Sequence, residues 1–415
     1  MLYTTDTLET VTEALQRAAA TGRGITLVDR SLQERRMSYA GLAESASRAA
    51  TALRGLGVEP GDRVCLLGPT TPELIVCLYA TWTAGAVPVI LPLPRRISEL
   101  DVFVADVVAR VARAGAKVLA AANLLLESAP PLEGLTARLA SVEDIASGDH
   151  APSRPASVRA DDLAFLQFTS GTTARSRAVP LSHSHLVSNL ESAGEMLSID
   201  PSRDVIVSWL PLFHDMGLIG MLLGATVFTT DLVLEPTEEF LGRPGSWIDA
   251  ISRFGGTITA SPNFGYGLAA RDLAAKPRAL DLSGWRVAGN GAESIDVATV
   301  ERFISEALRY GFEPNAMCPM FGLAEATLAV TTSRPDRPVT IEWVERSSLE
   351  GEGRVRWTHA GAEGSRALVS CGHVIPRHEV EIRSAAGDAL QAGLVGEICV
   401  RGPSVMPGYW RDPEA

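Results

Sequence analysis

Short apolar runs that end at Gly, Pro or Ser recur along the chain up to about residue 331 and alternate with amphipathic segments of helical length. These runs begin at Arg63, Val87, Ala116, Leu163, Val205, Gly256 and Trp285. Strands that are apolar along their whole length and alternate with helices are typical of parallel sheets covered on both faces. The pattern therefore predicts an α/β fold, in which ligands bind beyond the carboxyl ends of the strands.

The character of the sequence changes near Thr331. From there to Ala415, Gly and Pro turn signals separate alternating strands such as HEVEIRS and GEICVRG, and no helix longer than two turns is evident. A weaker break is the polar, proline-containing stretch at residues 147–162. We therefore predict a first α/β subdomain at residues 1–160, a second at 161–330, and a small β-rich subdomain at 331–415.

Composition excludes several classes of protein. The net charge of −12 argues against non-specific nucleic-acid binding, which needs basic surface. The five scattered cysteines form no C-x-x-C pair, so neither a disulfide framework nor a zinc site is predicted. The longest apolar stretch, LIVCLYATWTAGAVPVILPL, is broken by Trp82, Gly85 and Pro88 into a helix and a strand, and the N-terminus lacks an apolar signal core. We therefore expect a cytoplasmic enzyme without a membrane span.

A loop of small residues follows the apolar strand LAFLQF. Thr169, Ser170, Gly171, Thr172 and Thr173 supply hydroxyls and unhindered backbone N–H groups, which can wrap phosphate oxygens. The spacing matches neither a P-loop nor a dinucleotide-binding G-x-G-x-x-G. The alternative is an ordinary Ser/Thr turn. His183 and His185, at the predicted start of the next helix, are interpreted as capping and surface residues.

Four further motifs follow this loop in order. They are SWLPLFHDMGLIG from Ser208, GNGAES from Gly289, FGLAEAT from Phe321 and GEICVRGPSVMPGYW from Gly396. Together they resemble the adenylate-forming superfamily of acyl-CoA ligases, luciferases and peptide-synthetase adenylation domains. Within it, LPLFHDMGLIG and TASPNFGYGLAAR are most similar to the fatty acyl-AMP ligases. The resemblance covers nearly the whole chain and implies the large N-terminal domain of such an enzyme, with a distorted β-barrel as its third subdomain.

The resemblance also implies roles for individual residues. The loop from Thr169 to Thr173 would hold the triphosphate of ATP, and His214 would face the reacting carboxylate at the mouth of the acyl pocket. Glu325 would bind Mg²⁺, which takes oxygen ligands. The adenine and AMP site would be formed by two segments: Asn290, Gly291, Ala292 and Glu293, and Phe321, Gly322, Leu323 and Ala324.

Each of these residues also has a purely structural interpretation. His214 and Asp215 could form a hydrogen-bonded pair at a helix start. Glu325 could be a first-turn carboxylate favoured by the helix dipole, and Phe321 could be a core residue.

The chain departs from the superfamily pattern at the phosphate loop. The familiar Gly and Pro-Lys-Gly are replaced by Ala174 to Ala178, as is common in fatty acyl-AMP ligases. Arg175 and Arg177 either contact phosphates or are exposed loop charge. The Thr that usually precedes the metal-binding Glu is Ala324, and Phe321 stands where a Tyr is usual.

In relatives, the segment after the GYW-like stretch carries a ribose-binding aspartate and a hinge, followed by a mobile domain with a catalytic lysine. Neither of the two lysines of this chain, Lys117 and Lys276, lies in a matching motif. We therefore expect that the mobile domain is absent from these 415 residues and that they are weakly active alone. The long connection from Thr331 to Ser370 matches an insertion of fatty acyl-AMP ligases that disfavours coenzyme A, or is an ordinary variable connection.

The sequence thus predicts ATP-dependent, Mg²⁺-dependent activation of a fatty or other apolar carboxylic acid to acyl-AMP, followed by transfer to an acyl carrier protein thiol. One alternative is an acyl-CoA ligase that uses coenzyme A, or one that completes only thioester formation from a supplied adenylate. A second alternative is a non-catalytic module that binds nucleotide or acyl-adenylate.

Overall fold

The computed structural model describes residues 8–29, 31–94, 100–128, 130–169, 177–412 and 414. Two compact units divide the chain. The first comprises Met1–Ser188, Trp209–Glu238 and Met406–Ala415, and the second comprises Asn189–Ser208 and Glu239–Val405. Helices and mixed or parallel strands build both units, so the predicted α/β fold is confirmed. The predicted three-part division at residues 160 and 330 stays a prediction.

Helices and strands interleave along most of the described chain. The helices are α1 Val11–Ala19, α2 Tyr39–Gly55, α3 Pro72–Thr83, α4 Leu100–Ala114, α5 Asn123–Ser128, α6 Val142–Ser147, α7 His183–Leu197, α8 Gly224–Val227, α9 Thr237–Gly242, α10 Gly245–Phe254, α11 Asn263–Ala275, α12 Val297–Ala307 and α13 Arg346–Glu352. The strands are β1 Gly24–Val28, β2 Glu34–Ser38, β3 Arg63–Leu67, β4 Val87–Ile90, β5 Ala116–Ala121, β6 Arg138–Ser141, β7 Leu163–Phe168, β8 Ala178–Ser182, β9 Val205–Ser208, β10 Asp231–Leu234, β11 Ile258–Ser261, β12 Val287–Asn290, β13 Met317–Gly322, β14 Ala329–Thr332, β15 Ile341–Glu345, β16 Ser365–Val369, β17 His373–Val374, β18 Glu379–Arg383 and β19 Glu397–Arg401.

A parallel sheet with the order β4-β3-β5-β6 forms the first core of the first unit. Helix α3 begins at Pro72 behind the capping hydroxyl of Thr71, and every residue from Leu74 to Thr83 is buried. The apolar stretch from Leu74 is therefore a core helix followed by β4, as predicted. Among the described residues, no helix is long and apolar enough to cross a membrane.

Two smaller strand groups complete the first unit. Strand β1 pairs in parallel with β10 and antiparallel with β2. Strands β7 and β8 form an antiparallel pair in which Phe168 lies opposite Ala178. The predicted phosphate loop is therefore the loop of a hairpin, although the sequence pattern had suggested mainly parallel strands.

The second unit contains a sheet in which β9, β11, β12 and β13 are parallel neighbours, extended by the antiparallel strands β14 and β17. Parallel pairing places the carboxyl ends of these strands at one edge. The C-terminal part of this unit consists of the antiparallel pairs β15–β16 and β18–β19, and it contains the short helix α13.

An aromatic cluster packs under this sheet. Trp247, Tyr266, Trp285, Phe303 and Phe312 are all buried and meet mostly edge to face, as Tyr266 and Phe303 do at a ring-centroid distance of 4.9 Å. Such pairs add stability beyond their buried area. The Tyr266 hydroxyl donates to the carbonyl oxygen of Gly289 at 2.7 Å, which ties the cluster to the carboxyl end of β12.

His183 is a core residue, so its interpretation as a surface residue was wrong. It is 2% exposed at the start of α7, and its Nδ1 accepts a hydrogen bond from the Val11 N–H at the start of α1. Burial lowers the pKa of His183 to about 4, against a weaker opposing effect of Asp162 and Glu13. His185 does act as a cap, because its Nδ1 accepts from the Ser182 N–H.

We predict that His183 makes the fold sensitive to acid. At pH values between the ordinary pKa of about 6.5 and the folded pKa of about 4, His183 is protonated in the unfolded chain but neutral in the folded chain. The contribution of neutral His183 is therefore fully present above pH 6.5 and is lost as the pH falls toward 4, by about 3 kcal/mol in total. Urea unfolding across this window should show that wild type loses stability relative to His183→Gln, whose amide oxygen can still accept from Val11.

The exposed His150 offers a matched control. His150→Gln should follow the wild-type pH profile. Parallel profiles for wild type and His183→Gln would contradict the assignment.

Candidate active site

The described ends of the predicted phosphate loop are joined to each other. The Thr169 N–H donates to the Arg177 carbonyl oxygen at 2.9 Å, directly beyond the last pair of the β7–β8 hairpin. Ser170, Gly171, Thr172 and Thr173 lie outside the described residues, as does Arg175. The structure thus describes the base of the loop, and the phosphate-binding role of the loop itself stays a prediction.

Arg177 is exposed, as the second sequence interpretation expects, and it also has an aromatic partner that neither interpretation anticipates. Its guanidinium lies 4.8 Å from the ring centroid of Tyr409, in a cation–π arrangement. The next residue along, Trp410, donates its backbone N–H to the carbonyl oxygen of Ala178 at 2.8 Å. The GYW segment therefore contacts the base of the loop within the first unit.

His214 forms the hydrogen-bonded pair with Asp215 that the sequence suggested. The His214 Nδ1 lies 2.7 Å from the Asp215 Oδ1, which also accepts from the Met216 N–H at 2.7 Å. The hydrogen bond to Asp215 raises the pKa of His214, and partial burial opposes this effect. The imidazole therefore holds its proton at higher pH than an ordinary histidine, while 40% of the side chain remains exposed.

A π-helix of eight residues, Met216–Leu223, begins directly after this pair. All its residues except Gly220 are buried, and its sequence is wholly apolar or glycine. A Cβ on Gly217 would come within 2.4 Å of the Pro211 carbonyl oxygen, so the first turn needs glycine there. π-Helical turns are rare in proteins overall, and those that occur often lie at functional sites.

Gln167 connects the loop strand to the His214 turn, and the sequence analysis missed it. This residue is 5% exposed, and its Nε2 donates to the Phe213 carbonyl oxygen at 2.9 Å. The Oε1 atom has no hydrogen-bond partner among the described residues. A lone amide inside the apolar run LAFLQF was the available signal, because buried polar groups usually have a bonding role.

We predict that Asp215 sets the protonation of His214. Asp215→Asn removes the charge and weakens the hydrogen bond that raise the pKa of His214, so the NMR titration midpoint of that imidazole should fall. The midpoints of the other six histidines should keep their positions. An unchanged His214 midpoint in Asp215→Asn would show that the pair does not form in solution.

In the second unit, strand β12 ends at Asn290, which is fully buried. The Asn290 Nδ2 donates to the Asn263 Oδ1 at 3.3 Å, whereas its Oδ1 has no hydrogen-bond partner among the described residues. Ala292 adopts a positive φ of 68°. The Glu293 Oε1 accepts from the Phe264 N–H at 2.7 Å and so caps the first turn of α11.

The neighbouring strand β13 brings the second predicted nucleotide segment to the same edge. Asn290 pairs in parallel register with Pro319, and Gly291 and Phe321 both lie beyond this last residue pair between β12 and β13. Strand β13 then turns into β14 through a hairpin loop that carries Leu323, Ala324 and Glu325. Glu325 lies in a three-residue 3-10 turn, so no helix dipole of useful length favours its carboxylate there.

The structure thus groups the predicted site residues in two sets. Thr169 and His214 lie in the first unit and are linked through Gln167; the residues Asn290 to Glu293 and Phe321 to Glu325 lie in the second unit at one sheet edge. Within the described ranges, no three His, Cys, Asp or Glu side chains cluster as a metal site. A single carboxylate such as Glu325 suits Mg²⁺, which is usually held by one or two carboxylates together with substrate phosphates.

This fold, with its hairpin loop, histidine turn and paired strand ends, is that of an acyl-AMP or acyl-CoA ligase-like adenylating enzyme. The model of the AMP-binding enzyme family matches residues 15–410, and the chain belongs to that family. Membership in this family implies the use of ATP and AMP.

Particular relatives agree with this assignment. The chain is 34% identical over 374 residues to a 4-hydroxyphenylalkanoate adenylyltransferase of Mycobacterium marinum, covering 87% of this chain and 59% of that protein. It is 36% identical over 261 residues to a medium-chain-fatty-acid–[acyl-carrier-protein] ligase of Teredinibacter turnerae, covering 62% of this chain and 40% of that protein. The fatty acyl-adenylate ligase of L. pneumophila, solved with acyl adenylate and pyrophosphate, superposes with a TM-score of 0.90 at 30% identity. That match covers 98% of this chain and 71% of the other.

Proposed function

We propose that the protein activates a fatty or other largely apolar carboxylic acid with ATP, and then transfers the acyl group to the phosphopantetheine thiol of an acyl carrier protein. The similarity to a ligase named for medium-chain fatty acids and acyl carrier protein supports both parts of this proposal. Five free cysteines, three of them buried, are compatible with a cytoplasmic location.

The observation that carries the proposal is the His214 turn at the head of the apolar π-helix. A polar, partly exposed imidazole there adjoins the buried apolar run of Met216–Leu223. A fatty acid has the same division, with a charged carboxylate at one end and an apolar chain behind it. We assign His214 to the carboxylate, and we assign this π-helix to the acyl chain.

The nucleotide would be held by the two remaining groups of residues. The loop from Thr169 to Thr173 would bind the phosphates, and the segments that begin at Asn290 and Phe321 would bind adenine and AMP. The buried Asn290 Oδ1, which lacks a partner among the described residues, supplies an acceptor that a ligand N–H can satisfy. Mg²⁺, when bound at Glu325, would neutralise charge on the phosphate oxygens.

In the first step, a carboxylate oxygen forms a bond to the α-phosphorus, the bond from that phosphorus to the bridging oxygen breaks, and pyrophosphate leaves. No side chain needs to become covalently attached, so catalysis depends on positioning and electrostatic stabilisation. Asp215 favours the protonated form of His214, and in that form the imidazole can donate a hydrogen bond to the substrate carboxylate. In the second step, the thiol sulfur attacks the acyl carbon, the thiol proton is lost, and AMP leaves.

The function is tested by following both steps with the full-length protein. Incubation with ATP, Mg²⁺ and a mixed pool of acids should release pyrophosphate and yield an acyl-AMP that mass spectrometry identifies. A phosphopantetheinylated carrier protein should then become acylated, and coenzyme A should not. Acylation of coenzyme A would support the acyl-CoA ligase alternative, and thioester formation from supplied acyl-AMP without pyrophosphate release would support the thioester-only alternative.

We predict that Glu325→Gln keeps the fold but loses most adenylate formation, because a neutral amide is a poor Mg²⁺ ligand. The rate of adenylate formation should fall about 100-fold, since replacing residues that only hydrogen-bond to metal ligands already costs about 10–100-fold in activity. Pyrophosphate release at several Mg²⁺ concentrations measures it.

The matched control is Glu313→Gln, an exposed carboxylate before the opposite, amino end of β13. This variant should behave as wild type. If Glu325→Gln formed adenylate at the wild-type rate in saturating Mg²⁺, Glu325 would not be the metal ligand.

A further inference from the structure

A strained turn follows Glu325 directly. Thr327 has φ 75° and ψ −59°, and the Leu328 N–H donates across it to the Ala326 carbonyl oxygen at 3.0 Å. This is a γ-turn of the rare, strained type, and its central residue is β-branched. Strain of this kind destabilises the folded chain and persists only where the surrounding structure holds it in place.

Three fully buried side chains supply that support. Thr327 donates its hydroxyl to the Ser404 carbonyl oxygen at 2.7 Å. The Ser404 hydroxyl donates to the Ala326 carbonyl oxygen at 3.1 Å, which also lies 3.1 Å from the Asn189 Nδ2. Asn189 further accepts from the Ala329 N–H at 3.0 Å. Ala326 at the start of the turn and Ala329 just after it are therefore held by side chains from α7 and from the GPSVMPGYW motif.

The network is closed by a histidine. The His378 Nε2 lies 2.7 Å from the Ser404 hydroxyl oxygen, and its Nδ1 lies 2.9 Å from the Pro376 carbonyl oxygen. Ser404 is fully buried, so this serine–histidine pair is closed to a substrate. The polar side-chain groups of Asn189, Thr327, Ser404 and His378 are all hydrogen-bonded. A buried network with every polar group satisfied makes a region rigid and specifies one conformation.

We propose that Thr327, Ser404 and Asn189 are positioning residues that hold the Glu325 turn in the geometry needed to bind Mg²⁺. This inference rests on the proposed function, in which Glu325 is the metal ligand. It assigns a role to Ser404, which precedes the GYW residues of its motif, and to Asn189, which lies outside every motif. These residues act through the backbone of the turn and do not contact the metal.

The test compares two threonines of the same hairpin. The Thr331 hydroxyl donates to the Cys371 carbonyl oxygen at 2.8 Å, a bond like that of Thr327 but one that does not touch the Glu325 turn. Thr327→Val should raise the Mg²⁺ concentration for half-maximal pyrophosphate release in full-length protein by about tenfold. This is the usual size of the effect when a residue that supports a metal ligand is replaced. Thr331→Val should leave it within about twofold, and Thr327→Ser, which keeps the hydroxyl, should restore it.

Thermal unfolding of the same variants separates positioning from stability. We expect Thr327→Val and Thr331→Val to lower the unfolding temperature by similar amounts, while only the first changes the Mg²⁺ dependence. Equal Mg²⁺ dependence in the two variants would overturn the proposal. If Thr327→Val does not fold, Ser404→Ala is decisive, because it removes the side-chain contacts but keeps the Thr327 bond to the Ser404 backbone.

Glu325→Gln in the same assay distinguishes a failure of the proposed metal ligand from a failure of the positioning role. If Glu325→Gln leaves the Mg²⁺ dependence unchanged, the proposed metal ligand fails and this inference fails with it. If Glu325→Gln raises the Mg²⁺ requirement while Thr327→Val and Ser404→Ala do not, only the positioning role is overturned.

Discussion

The close parallel pairing of β12 and β13 is the constraint on which the nucleotide half of the site depends. A Cβ on Gly291 would lie 2.8 Å from the Met320 carbonyl oxygen, and one on Gly289 would lie 2.8 Å from the Met320 methyl carbon. Glycine at both positions lets the two backbones approach. The carboxyl ends of the strands then meet at one edge, which brings Asn290 and the Glu325 hairpin out of the same side of the sheet.

Much of the fold follows from the sequence because its signals are local. A strand buried on both faces is mostly apolar, so the runs from Arg63, Ala116 and Trp285 identify strands without any knowledge of their neighbours. Loops beyond the carboxyl ends of such strands are candidate sites for the same reason. The order of the motifs then indicates the family. The role of a single residue is harder to predict: Arg177 in the predicted phosphate loop packs against the ring of Tyr409.

The rest was not predictable because its signals are not local. The bonds of His183 to Val11, of Thr327 to Ser404, and of Gln167 to Phe213 span 172, 77 and 46 residues respectively. A single His, Thr or Gln has no periodicity that reveals its partner, and its polar group predicts only that one exists once it is buried. Positive φ at a threonine is also contrary to its intrinsic preference, so only the folded chain shows the turn at Thr327.

The presence of threonine at position 327, where glycine would be less strained, indicates that the turn must keep one geometry. Glycine would remove most of the strain of about 1–3 kcal/mol, because it adopts positive φ freely. It would also let the turn adopt other conformations and would delete the hydroxyl that bonds to Ser404. A net hydrogen bond of about 0.5–1.5 kcal/mol offsets part of the strain and restricts the turn to one geometry. Thr327 lowers the stability of the fold, and it lies two residues from the candidate metal ligand Glu325. This is expected where stability is sacrificed to hold a functional residue in position.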